Sequence, residues 1–67
     1  MEELDLVVLK KDFEDLKAGV RGTIVLKYDE SNFEVEFFDA NHDTIGVYTI
    51  SAEYLRCIGP NHPHRSS

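Results

Sequence analysis

Phe33-Glu34-Val35-Glu36-Phe37-Phe38 (FEVEFF) is the cleanest period-two alternation in this chain. It sets Phe33, Val35 and Phe37 on one face of a strand and Glu34 and Glu36 on the other. A helix of the same length would scatter the glutamates around its circumference. Working outward, Asp29-Glu30-Ser31-Asn32 on one side is a polar patch of turn formers of hairpin-loop length. On the other side Asp39-Ala40-Asn41-His42-Asp43 is the next turn. Val20–Tyr28 (VRGTIVLKY) precedes as a strand whose Gly22 permits close approach of a neighbouring backbone. Thr44–Ile50 (TIGVYTI) follows as a β-branched strand with Gly46 marking a bulge or bend.

Leu4–Leu9 (LDLVVL) forms the first strand, although Leu6 and Val8 are as apolar as Val7 and Leu9. The segment Phe13–Ala18 has apolar anchors at Phe13 and Leu16, compatible with a single helical turn but too short for a stable helix. Ser51 can cap a short helical turn over Ala52–Tyr54, and Leu55–Ile58 closes as a fifth strand stopped by Gly59-Pro60. Five short strands with tight loops predict an all-β, five-stranded SH3-like barrel with one short helical turn before the last strand. An OB-fold would need a helix between the third and fourth strands, where only five residues stand. The expected core is Val7, Leu9, Val20, Ile24, Phe33, Val35, Phe37, Ile45, Val47 and Leu55. The barrel is expected over residues 1–58, and 59–67 as a flexible polar tail.

The chain has 67 residues, thirteen acidic against seven basic, and a net charge of −6. So small a domain buries only about 60% of the surface its unfolded chain exposes, which leaves little core to enclose an active site. The charge repels phosphate backbones and steers towards basic partners. A single cysteine, Cys57, rules out an internal disulfide. Met1-Glu2-Glu3 is acidic where a secretory leader would be basic, and no apolar run nears 18 residues, so the expectation is a cytoplasmic protein.

Leu4–Phe13 (LDLVVLKKDF), Leu16–Tyr28 (LKAGVRGTIVLKY), Phe33–Asp39 (FEVEFFD) and Thr44–Arg56 (TIGVYTISAEYLR) together resemble a small bacterial family known as domain of unknown function 4926. Its members share the order LD-VVL, G-x-x-G-T-V, YEVEF-D and T-L-x-x-x-x-LR, and the resemblance spans Leu4 to Arg56. It implies an SH3-like barrel and an association with small toxin-like partners, but no activity. Gly19–Ile24 also resembles, more loosely, the KOW motif of ribosomal and elongation proteins.

Candidate contacts follow from the acidic surface. Asp29, Glu30, Glu34, Glu36 and Asp39 fall on one hairpin and its loops, with Asp43 nearby. Phe38 breaks the alternation and points out beside the acids, either as a binding hot spot or as cover for an open barrel end. The expected function is non-catalytic protein binding by an acidic adaptor or inhibitor of a basic partner, a toxin or nuclease, as the antitoxin or immunity half of a pair. One alternative is a KOW-like module on RNA or the transcription or translation machinery, through Lys10, Lys11, Lys17 and Arg21. Another is a structural homo-oligomer built through barrel edges. No enzyme activity, cofactor or metal is expected. Cys57 has no nucleophile signature around it, and His42, His62 and His64 lack the ligand spacing of a zinc site.

Overall fold

The computed structural model describes residues 1–60, and everything said of the structure concerns those residues. Of the tail expected over residues 59–67, residues 61–67, with His62 and His64, lie outside them. The strands are β1 (Asp5–Leu9), β2 (Arg21–Lys27), β3 (Asn32–Phe38), β4 (Thr44–Ser51) and β5 (Leu55–Pro60), with a 3-10 turn at Ala52–Tyr54. They form one antiparallel sheet in the order β4-β3-β2-β1-β5. β5 runs on through Gly59 and Pro60, opposite Leu6 and Asp5, rather than stopping before them.

The alternation of β3 translates directly into packing. Phe33, Val35 and Phe37 are buried with Val7, Leu9, Leu16, Ile24, Ile50 and Leu55, while Glu34, Glu36 and Phe38 are half-buried on the outer face. Gly22 lies between Val7 of β1 and Phe37 of β3 in the cross-strand ladder. A Cβ there would meet the Glu36 carbonyl oxygen and Val35 Cγ1 at 2.7 Å and Phe37 Cδ1 at 2.9 Å. Backbone cannot yield as a side-chain tip can, so Gly22→Ala is expected at the costly end of overpacking, about 2–3 kcal/mol. Thermal melts should show a fall of roughly 10–20 °C in Tm. A fall of less than about 3 °C would contradict this packing.

The expected core needs correction in β4. Ile45 and Val47 are 42% and 50% exposed, and Gly46, Tyr48 and Ile50 instead face inward, opposite Phe37, Val35 and Phe33. The reason is the aromatic ring of Tyr48. It packs edge-on against Phe37 at 5.8 Å and Phe13 at 6.3 Å, and occupies space above Gly46 that any side chain there would need. Val20 is half-buried at the margin of the core rather than within it. Leu16 joins the core from the β1–β2 loop, where the expected helical turn is replaced by a tight reversal. Phe13 and Leu16 exchange both backbone hydrogen bonds, at 3.0 and 2.8 Å, and Glu14 takes a positive φ of 53° between them. The Asp12 carboxylate holds this loop from outside. It accepts from the Ala18 N–H at 2.9 Å and pairs with Lys17 at 3.6 Å, which keeps its carboxyl below the usual range.

Three bulges curl the sheet. Each inserts one unpaired residue: Val25 in β2, Ile45 in β4 and Ile58 in β5. All are large, apolar and exposed. Ser51 caps the 3-10 turn as expected, its Oγ accepting from the Glu53 N–H.

Candidate protein-binding face

The outer face of the sheet carries the acidic residues of β3 and a run of apolar ones. Cross-strand rows define it. Val8, Arg21, Phe38 and Thr44 share one row, and Leu6, Thr23, Glu36 and Val47 the next, with Glu34 opposite Thr49 beyond. Thr23, in the middle, is buried to 7% exposure although it faces away from the core. The face is therefore concave there. A groove of about 920 Å³ is floored by Leu6, Thr23 and Phe38 and flanked by the bulge residues Ile45 and Ile58. The β1–β2 loop (Ala18, Gly19, Val20) and the β3–β4 loop (Asp39, Ala40, His42) form its walls, with Arg21 between them.

Phe38 is thus half-buried in the groove floor, in the same cross-strand row as Arg21 and Thr44. The glutamates beside it are held by hydroxyls. Glu36 Oε2 accepts from Thr44 Oγ1 at 2.6 Å, and Glu34 Oε1 accepts from the Tyr28 hydroxyl at 2.8 Å. That bond holds the Tyr28 phenol above its ordinary pKa, because ionising it would set two anions side by side. A carboxylate offers about four lone-pair directions, so each glutamate keeps capacity for an incoming cation.

The six expected contact residues divide into two groups. Glu34, Glu36 and Phe38 share one face, and Asp39 reaches its groove end. Asp29 and Glu30 stand at the opposite end of β3 in the hairpin loop. There the Asp29 carboxylate accepts from the backbone N–H of Ser31 and Asn32 and from the Asn32 amide, bonds that hold its pKa down. Glu30 pairs with Lys27 at 3.2 Å, and Lys27 also reaches Glu2 at 2.9 Å, which raises the lysine's pKa. Asp39 Oδ1 likewise accepts from the Asn41 and Asp43 N–H groups, shaping the turn in which His42 has a φ of 67°. Asp29 and Asp39 hold their own loops first.

The four cations considered for nucleic acid are Lys10, Lys11, Lys17 and Arg21. Lys17 is paired with Asp12, and Lys11 sits 4.7 Å over the Tyr54 ring. Arg21 forms no ion pair with any described residue. Among the described residues no group of three or more His, Cys, Asp or Glu is placed to hold a metal ion. Among the described residues no helix is long and apolar enough to cross a membrane.

Leu6, Ile45, Val47 and Ile58 are the groove and face residues that reading for acids overlooked. One signal pointed to Leu6. A first strand apolar on both faces, LDLVVL, implies a second surface that shuns water.

The family model described as a domain of unknown function, DUF4926, matches residues 3–57. No curated protein and no solved structure matches the chain.

Proposed function

The chain belongs to the DUF4926 family, and on that footing we propose that it is a non-catalytic, cytoplasmic protein-binding module that engages a basic partner through the outer face of β3 and β4. In concrete form it is an adaptor or inhibitor, such as the antitoxin or immunity half of a pair. One observation carries the reading. Phe38, Ile45 and Val47 present apolar surface beside Glu34 and Glu36, on a protein of net charge −6. Apolar anchors with a charged rim supply affinity at the centre and orientation at the edge. The groove can accept a large apolar side chain of the partner, while cations around that side chain meet the two glutamates. The exposed free thiol of Cys57 suits a reducing compartment.

Selection from a displayed library of random peptides tests this without a named partner. Peptides retained by the wild type should combine Lys or Arg with at least one large apolar residue. They should lose about tenfold or more in affinity for Phe38→Ala. Enrichment of acidic peptides, or equal binding to Phe38→Ala, would overturn the proposal.

A further inference from the structure

Among the described residues β4 ends the sheet, with no strand beyond it in the order β4-β3-β2-β1-β5. Its eight residues, Thr44-Ile45-Gly46-Val47-Tyr48-Thr49-Ile50-Ser51, contain no charge and no proline in a chain that is 30% charged. Proteins ordinarily blunt such an edge with lysine, proline or a bulge, because its unpaired N–H and C=O groups invite another strand. The opposite edge follows that rule. β5 carries Arg56, the Ile58 bulge and Pro60 within six residues. β4 has a bulge only at Ile45, and from Gly46 to Ser51 the ladder with β3 is regular.

We propose that a basic, extended segment of the partner adds to β4 as a further strand. This rests on the reading of the chain as a module for basic partners, and names the form of the contact. Side chains of an added strand that point to the outer face would flank Val47 and Thr49, both exposed. One strand further in, Glu36 lies opposite Val47 and Glu34 opposite Thr49. Two strand spacings, about 10 Å, separate the added backbone from β3. A lysine or arginine on the added strand can therefore lay its aliphatic stem over Val47 and bring its head to Glu36. Alternate positions must be basic, because alternate positions share a face. A second copy of this chain fits less well. Its own β4 would bring no cation to the glutamates, and would set two chains of net charge −6 side by side.

The probe is an acetylated, amidated nonapeptide alternating lysine with valine, with glutamate replacing lysine in the control. Hydrogen exchange of the β4 amides is followed at low salt, together with sedimentation. The lysine peptide should slow exchange of the outward β4 amides at least tenfold, and the control should not. Glu34→Gln/Glu36→Gln should reduce that protection. Val47→Lys, at an exposed position, should weaken peptide binding about tenfold with an unchanged circular dichroism spectrum. Binding of the lysine peptide without protection of β4 would overturn strand addition and leave the basic-partner reading intact. Failure of the lysine peptide to bind at all would overturn both. Protection of β4 without peptide, in a sedimenting dimer, would make a second copy the occupant and overturn the proposal.

Discussion

Phe37→Ala should abolish cooperative folding at 37 °C. Phe37 is fully buried, pairs with Gly22 on one side and Gly46 on the other, and packs against Tyr48. Truncating a buried phenylalanine costs about 3–5 kcal/mol through lost transfer energy and the cavity left behind. A single core of this size rarely supplies more than about 3–5 kcal/mol in total. The two glycine partners have no side chains to close over the gap. Circular dichroism melts should show the transition lost, or Tm lowered by about 15 °C or more. Phe38→Ala, one residue on, removes a half-buried ring from the groove floor and should leave a clear transition. A Phe37→Ala protein melting within about 5 °C of wild type would mean that the core does not depend on β3.

Glu34→Lys with Glu36→Lys should weaken binding to a basic partner by at least about 100-fold, with the fold retained. Both side chains lie on the outer face, and the hydrogen bonds they accept from Tyr28 and Thr44 are solvent-exposed. Reversal removes two attractions and creates two repulsions at one surface, so the loss exceeds that of neutralisation. Lys10→Glu with Lys11→Glu changes charge equally on a different part of the molecule and should leave affinity within about threefold. A reversal of that ranking, measured by titration calorimetry, would place the contact around the β1–β2 loop instead.

The strand content was legible because it is written in short-range pattern. FEVEFF declares its faces, Gly22 marks the close approach it makes, and Ser51 announces the turn it caps. What escaped depends on register between strands. Nothing in TIGVYTI says whether Ile45 and Val47 or Gly46 and Tyr48 face inward. That choice is made by Tyr48 lying over Gly46 and against Phe37, a contact between different strands. The bulges at Val25, Ile45 and Ile58 were hidden for the same reason, although Gly46 drew attention to the right neighbourhood. Leu16 entered the core because a two-residue reversal at Glu14-Asp15 folds it back.

The candidate site was half legible. Glu34, Glu36 and Phe38 share a face because a strand alternates, and that follows from the sequence. The concavity beside them does not. It arises where curling of the sheet brings Leu6, Phe38 and the bulged Ile45 and Ile58 around Thr23. Nor does composition separate a carboxylate that is free to meet a partner from one that holds its own turn, as Asp29 and Asp39 do.

The most direct test of a binding face on β3 and β4 is chemical-shift mapping of the 15N-labelled chain titrated with a basic peptide taken from the library selection. Perturbations should concentrate at Glu34, Glu36, Phe38, Ile45 and Val47 and saturate with the affinity measured by calorimetry. Perturbations confined to Lys10, Lys11, Lys17 and Arg21, with β3 and β4 unmoved, would contradict the account.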